Sequence, residues 1–517
     1  MKMVKSLLLG SAAGFVAVAG AQAADLPVKA KAANPVLICS LYGKGFYYIP
    51  GSDMCLSITG FTRFQTYYTL GGGGGAAAST FSTAGANVGQ GYPVFSNTTW
   101  PFNGDNGFDV RTGRQNDFTF RTRWMMTFDA RQQTAYGTLR SVATAGVTND
   151  LTTGSGGTSI YANRAFIQIA GFTLGKAVSF FDSYANPAYS YYGNIGTSDT
   201  GDGGQVVAAY TAQFGGGVSA TISAEEPRRV SVLNNAGIGT ALVASGNANQ
   251  YVQYRYPDIV GALRWDQPWG TFQVNGALHD VSGGYYGATG NNQLNNGHPS
   301  DAWGYAVGAG LKLRFGADVF DSQFTYTEGA LKYISTGVSA GGAQFSSSGA
   351  VGTIAGDLGY GLLSDGVYGT NVAGALTSVN LTTGWAVNAA YDHRWSPALK
   401  TSVYGGYVAV RYNGEATGML CSAAISSGAG GVGLNATLAQ CGQNWQQWFI
   451  GSRTQWDVAR SFYVGVDVLY TKLETANRGL QTGSTFAPGA PRVTGIYNIT
   501  DQDAWAVTFR AHRDIVP

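Results

Sequence analysis

The sequence predicts an all-β chain that closes into a transmembrane antiparallel β-barrel of 16 strands. Three observations predict it. The dominant hydrophobic period is 2, not 3.6. The apolar stripes end in aromatic residues. Connections alternate between short turn-like links and long stretches rich in Gly, Ser, Thr and Asn.

The first segment sets the compartment. Residues 1–23 read as a secretory signal: Lys2 and Lys5, an apolar run from Leu7 to Ala19, then Ala21-Gln22-Ala23 as a small-residue cleavage site. The run is too short and too weakly flanked to span a membrane as a helix, so removal is expected. Residues 24–55 form a periplasmic lead-in with one cysteine pair, and 56–517 form the barrel with long external loops. The signal holds two lysines and no acid. Removing it takes Lys+Arg from 31 to 29, equal to Asp+Glu.

Four cysteines fall in two close pairs, Cys39/Cys55 and Cys421/Cys441. An exported chain meets an oxidising environment, which favours disulfides. Pairing by proximity is the simplest of three connectivities. Metal binding is the weaker reading, because neither pair has CxxC spacing and no histidine lies close by.

The strand pattern is clearest from Phe118 to Ala130. Phe118, Phe120, Trp124, Met126 and Phe128 share one parity, and Thr119, Arg121, Arg123, Thr127 and Asp129 share the other. From Trp303 to Phe315, a Trp/Tyr/Val/Ala/Leu/Phe stripe opposes small or basic residues, including Lys312 and Arg314. Val464, Val466 and Val468 oppose Gly465 and Asp467, and Trp505, Val507 and Phe509 oppose Thr508 and Arg510. The expected strands are 56–68, 117–129, 137–145, 159–170, 173–180, 205–213, 218–226, 258–265, 271–281, 302–315, 318–329, 385–395, 399–412, 445–457, 461–473 and 501–511. An even count puts both chain ends on the periplasmic side. The stretch from Ala330 to Gly384 is long enough to hide strands folded into an external lid.

A soluble β-sandwich also alternates. Two features argue against it. Aromatic pairs such as Trp303/Phe315, Trp385/Trp395 and Trp448/Trp456 bracket the apolar faces, as in the interfacial girdles of membrane barrels. The polar face carries long basic side chains that a sandwich core would reject. The connections agree. Gly215-Gly216-Gly217 and Trp395-Ser396-Pro397-Ala398 have turn chemistry, whereas Gly71–Asn116 and Asn413–Gln443 match long external loops.

Composition excludes other classes. Charged residues are 12% and aromatics 13%, which is the reverse of a disordered chain. The charge balance lacks the basic excess of a nucleic-acid binder. No apolar run beyond the N-terminus approaches the ~20 residues of a membrane helix. No cofactor or metal motif is present. The four histidines, His279, His298, His393 and His512, have no nucleophile in recognisable context, and the Gly-rich loops lack the Lys-Ser/Thr of a phosphate cradle. Catalysis is not expected.

A barrel of this size holds water in its lumen. Arg121 and Arg123 lie on the polar parity of the second strand, and Arg63, Arg140 and Arg164 on the first, third and fourth. Together they predict a basic sector of wall. The third external connection, Phe181–Gly204, holds Asp182, Asp199, Asp202 and several tyrosines, with no basic residue. Folded inward, it would set acids against the arginines and a transverse field across the narrowest point.

The segment Cys39-Ser-Leu-Tyr-Gly-Lys-Gly-Phe-Tyr-Tyr-Ile-Pro-Gly-Ser-Asp-Met-Cys55, followed by Leu-Ser-Ile-Thr-Gly-Phe-Thr-Arg63, resembles the mature N-terminus of the general porins of alphaproteobacteria, such as those of Brucella and the rhizobia. Asp117-Phe-Thr-Phe-Arg121, Tyr136-Gly-Thr-Leu-Arg140 and Gly171-Phe-Thr-Leu-Gly-Lys176 add to it. The resemblance implies a homotrimeric 16-stranded outer-membrane porin, surrounded by lipid and lipopolysaccharide, with its third loop folded into each barrel. Ions and small hydrophilic solutes would cross passively. The five arginines match the family's basic wall, Asp199 and Asp202 its acidic constriction loop, and Cys39 and Cys55 its N-terminal cysteines. The pattern departs at the C-terminus: such porins end in an aromatic residue, whereas this sequence ends in Pro517, with Phe509 the nearest aromatic. Two alternatives stand beside this function. One is a substrate-selective channel, for sugars for example, suggested by the loop tyrosines. The other is a barrel that serves mainly as a surface anchor.

Overall fold

The computed structural model describes residues 38–70, 117–150, 157–192, 200, 203–235, 255–286, 297–334, 357–358, 361–426, 433–484 and 495–515. The signal segment 1–23, Asp199 and Asp202 lie outside the described residues. The chain divides into two compact units, 1–55 and 56–517.

The first unit centres on a disulfide between Cys39 and Cys55. Both sulfurs are buried with Phe46, against Tyr42 and Tyr48. The Ile-Pro-Gly-Ser segment forms the reversal between them. Pro50 sits at its second position, Gly51 has φ +78°, and the Ser52 N–H donates to the Ile49 carbonyl at 3.1 Å. That is type II turn chemistry, which needs a residue free to take positive φ at the third position.

The second unit is the barrel. Its strands are β1 (Cys55–Leu70), β2 (Asp117–Thr134), β3 (Gly137–Asp150), β4 (Gly157–Ile169), β5 (Phe172–Ala177), β6 (Gln205–Gly215), β7 (Val218–Glu225), β8 (Asp258–Gln267), β9 (Gly270–Asp280), β10 (Trp303–Phe315), β11 (Asp318–Glu328), β12 (Thr383–Ser396), β13 (Leu399–Arg411), β14 (Trp445–Ala459), β15 (Phe462–Glu474) and β16 (Gln502–Asp514). Each pairs with its sequence neighbours. β16 closes the ring on β1, from Phe61↔Asp514 to Leu70↔Trp505. Every span expected from the alternation holds one strand. The ends differ by a few residues. β2 runs past 129 to Thr134 because pairing continues through Arg131, Gln132 and Gln133, where the apolar stripe has already stopped.

The two ends of the barrel differ sharply. At one end, consecutive strands are joined through two residues, for example Ala135-Tyr136, Ala170-Gly171, Gly216-Gly217 and Pro397-Ala398. Ala170 and Gly171 both take positive φ, as a two-residue hairpin turn requires. The other end carries the long connections. In barrels of this type the short turns face the periplasm and the long loops face outside.

The outer face is apolar: Phe120, Trp124, Phe128, Val307, Phe324, Ile450 and Val466 are all exposed. Trp385 and Trp395 lie on this face of β12, ten residues apart. At ~3.3 Å per residue and the usual strand tilt, that separation spans ~25 Å of membrane, the height of a lipid-facing band between girdles. Opposite parity points inward and holds Arg121, Arg123, Gln273, Asn275, Asp321, Gln323, Arg453 and Asp467, all buried.

The 330–384 region does contain short strands. Gly366–Tyr368 joins Val232–Asn234 and Asn380–Leu381 in a three-stranded sheet, and Asp357–Leu358 joins a four-stranded sheet with the seventh and eighth external connections. The seventh connection also holds a helix that the sequence reading did not anticipate, α1 (Gly414–Ser426). Its cap is local and legible: the Asn413 carboxamide oxygen accepts the Ala416 N–H at 2.8 Å. A disulfide joins Cys421 in α1 to Cys441. These loops share one apolar core with inward residues at the external ends of β12–β15. It includes Val230, Leu331, Leu363, Met419, Trp445 and Leu473. The external end of the barrel is therefore packed with protein on the β12–β15 side, in a cap that draws on four loops and not only on the 330–384 stretch where the sequence allowed a lid.

Candidate functional site in the barrel lumen

The third external connection begins where β5 ends, at Ala177. Residues between Ser179 and Tyr192 are hydrogen-bonded to wall side chains of inward parity, and these anchors can be read in order. The Phe180 N–H donates to Glu225 at the end of β7, at 3.0 Å. Gln273 and Asn275 of β9 donate to the carbonyls of Phe180 and Phe181. Gln323 of β11 accepts three bonds, from the Ser183 N–H, the Ser183 hydroxyl and the Tyr184 N–H, at 3.1, 2.9 and 2.9 Å. The Tyr189 hydroxyl donates to Asp321 at 2.8 Å, where Lys312 of β10 also binds at 2.9 Å. Ser402 of β13 donates to the Tyr189 carbonyl. Burial pushes the Tyr189 phenol well above its ordinary value, and the Asp321 charge adds to that, so it stays protonated as a donor.

Asp467 of β15 is the main anchor. It accepts the Ser190 hydroxyl at 2.9 Å, the Tyr191 N–H at 2.5 Å and the Tyr404 hydroxyl at 2.6 Å. Arg510 of β16 donates to the Tyr191 carbonyl at 3.2 Å and stacks on the Tyr191 ring at 4.0 Å. Tyr192 reaches Tyr67 of β1, with ring centroids 6.4 Å apart. Two glycines let the run lie flat on the wall. A Cβ on Gly310 would meet the Ser183 hydroxyl at 1.9 Å, and one on Gly465 would meet the Tyr191 hydroxyl at 2.1 Å. Any larger side chain at either place would displace the loop.

The five arginines stand on the arc β1–β4. Arg121 donates to the Tyr67 hydroxyl at 3.3 Å, and Arg123 donates to Thr148 at 3.1 Å with Tyr161 under its guanidinium. Both are only 2% exposed. Register spreads the set vertically. Arg123 faces Thr148, Arg164 faces Thr144, and Arg140 faces Arg131. Each step of four residues along β3 is ~13 Å, so these arginines form a ladder down the wall rather than a ring. Asp129 holds both Arg131 (2.7 Å) and Arg140 (2.9 Å), so the lowest rung is charge-compensated. Arg63 donates to His512 at 3.2 Å.

Alternation on β4 is irregular for a stated reason. Thr144 pairs with Arg164 and Ala145 with Ala162, which leaves Asn163 as a bulge. A bulge inserts one residue and shifts the parity beyond it. Asn163 and Arg164 are both shielded while Ala162 and Ala165 are exposed, so Arg164 joins the inward set.

Asp182 lies beyond the end of β5, within the loop. Its carboxylate accepts the Thr200 N–H and hydroxyl at 2.6 and 2.5 Å and pairs with Arg228 at 3.3 Å. The side chain is 3% exposed, so Asp182 ties the loop to itself and to the fourth connection. The sequence reading did not single out Arg228, Asp258, Asp321, Asp365 or Arg453, and it named His279 and Asp467 only as polar residues without a role. Asp321 and Asp467 are signalled as lone acids on inward parity. The others acquire meaning only through tertiary contact.

Residues 25–507 match the family model described as the Porin subfamily. Among curated proteins, porin Omp2b of Brucella melitensis biotype 1 is 28% identical over 282 residues, which are 52% of this chain and 64% of that protein. Porin Omp2b of Brucella abortus gives the same identity and coverage. The match thus spans less than two thirds of these relatives' own length. Among solved structures, the outer membrane channel DcaP of Acinetobacter baumannii superposes with a TM-score of 0.52 at 12% identity, covering 90% of this chain and 99% of that one. That likeness concerns the fold.

Proposed function

The chain belongs to the porin subfamily, an outer-membrane family of Gram-negative bacteria, and from that premise we propose that it is a general diffusion porin. Ions and small hydrophilic solutes cross a water-filled channel passively. On this reading the run Ser179–Tyr192 is the constriction loop, folded into the lumen, and the arginines of β1–β4 form the basic sector of the wall. The observation that carries this reading is the series of anchors from Glu225 through Gln323 and Asp321 to Asp467 and Arg510. They tie the run to inward side chains of β7, β11, β15 and β16, and its end reaches Tyr67, which Arg121 also touches. Asp199 and Asp202, the acids that the sequence assigns to this opening, lie outside the described residues. The protein works as a homotrimer, in contact with outer-membrane lipid and lipopolysaccharide, as expected for an apolar barrel exterior.

A sugar-selective channel would need aromatic faces open to solute. Tyr184, Tyr189, Tyr191 and Tyr192 are instead buried against the wall, which favours the unselective reading. Planar-bilayer recording tests it. The expected result is a stable ohmic conductance that survives millimolar maltose, phosphate or citrate. Block by one solute at low concentration would replace the general porin with a selective one, and absence of any conductance would favour a surface anchor. Light scattering of the detergent complex tests the trimer.

A further inference from the structure

The root of the constriction loop and the external cap meet at one buried side chain. Arg228 leaves the fourth connection and is 2% exposed. Its guanidinium pairs with Asp182 of the loop at 3.3 Å and with Glu225 at 3.7 Å, and it lies over the Tyr333 ring at 4.4 Å. Tyr333 belongs to the sixth connection. Its ring packs on Phe181 of the loop at 4.6 Å, and its hydroxyl donates to Asp258 at 2.8 Å. Asp258 also accepts the Arg228 N–H at 3.1 Å and contacts His279 at 2.6 Å. Asp365 lies 3.8 Å from the same histidine and accepts the N–H groups of Val230 and Leu331, both members of the cap's apolar core.

We propose that Arg228 is a positioning residue that couples the external cap to the constriction loop, so that the state of the cap sets the width of the opening below it. This rests on the reading of Ser179–Tyr192 as the constriction. The physical argument is geometric. An arginine fork can hold two carboxylates and a ring at once, which a point charge cannot. A buried network of this kind has few intermediate arrangements, because removing one member leaves its partners unsatisfied. Strain in the cap is therefore passed to Asp182 and Phe181 rather than absorbed locally. The disulfide in α1 is the remote handle on that cap. It touches neither Arg228 nor the constriction loop in the contacts described above.

The test is a double-mutant cycle read by single-channel conductance in the full-length porin. The variants are Arg228→Met, the pair Cys421→Ser/Cys441→Ser, and both together. Arg228→Lys serves as the conservative variant. Expected is a shift of mean conductance by about twofold on loss of the disulfide, on the scale that pore diameter controls. Arg228→Met should give a similar shift with added current noise, the combination no further change, and Arg228→Lys a partial return. Additive effects would overturn the coupling, as would an Arg228→Met channel that conducts normally while only its heat resistance falls. Asp467→Ala keeps the two readings apart. If it alters conductance while the cycle is additive, only the coupling fails. If it too leaves conductance unchanged, the constriction reading fails first.

Discussion

The backbone N–H of Tyr191 donates to the Asp467 carboxylate at 2.5 Å, a contact between residues 276 apart in the sequence. It fixes the far end of the 179–192 run, the proposed constriction loop, to β15. The same carboxylate takes the Ser190 and Tyr404 hydroxyls, so one side chain on the wall satisfies three donors. Asp467→Ala should therefore act as a release of the loop. Orphaning buried donors costs ~1–3 kcal/mol each, with part recovered when the loop moves into water. The expected outcome is a channel of altered conductance and more frequent closures, in a barrel that still resists SDS at room temperature. A variant indistinguishable from the parent in bilayers would remove Asp467 from the constriction.

The arginine ladder makes a graded prediction. Arg121→Glu with Arg123→Glu should move the reversal potential in a salt gradient toward cation preference, because both charges belong to the proposed basic wall. Arg140→Gln should move it less, since Asp129 already balances that charge. Equal shifts from the two variants would contradict the balance of Arg140 by Asp129. No shift from the double reversal would place these residues away from the ion path.

The cysteines predict a chemical result. Alkylation of the unfolded, unreduced protein should leave its mass unchanged, and four thiols should react after reduction, as required by bonds 39–55 and 421–441. In the chain-entropy model, closing loops of these lengths stabilises by ~3 kcal/mol each. Cys421→Ser with Cys441→Ser should thus make the cap more protease-sensitive at α1 before the barrel melts. Cleavage at an unchanged rate would mean that the apolar core alone holds the cap.

The sixteen strands were legible because lipid and lumen impose opposite chemistry on alternate residues, and Trp385 and Trp395 mark where that chemistry stops. The disulfide pairs were legible from proximity. The arginines of β2 were legible from parity, but their vertical spacing needed the register of β3, and Arg164 needed the bulge at Asn163. The anchors of the loop were not legible. Asp321 and Asp467 read as single polar residues in otherwise ordinary strands, and nothing local says that Tyr189 or Tyr191 will meet them. The cap was legible only as a long stretch, 330–384, that could hide strands, and its core was not, for a related reason. Its core is built from short apolar groups such as Leu362-Leu363 and Met419-Leu420, scattered over four loops whose periodicity is too brief to register.

Gly465 gives the sharpest test of how closely the loop lies on the wall. It sits on inward parity of β15, where a Cβ would meet the Tyr191 hydroxyl at 2.1 Å and the Thr454 carbonyl oxygen at 2.7 Å. The first is the far end of a side chain and can move. The second is backbone within the sheet and yields less. Gly465→Val should therefore force the Tyr191 ring off the wall, break its stack with Arg510, and push the loop toward the arginines. Overpacking of this kind typically costs ~1–3 kcal/mol, which a closed sixteen-stranded ring can absorb without unfolding. The expected result is a fall in single-channel conductance and a lower size limit in liposome swelling with sugars of increasing mass, opposite in sign to a loop set free. A rise in both would show that the loop detaches instead of shifting, and no change would mean that Tyr191 does not lie against Gly465 in the membrane.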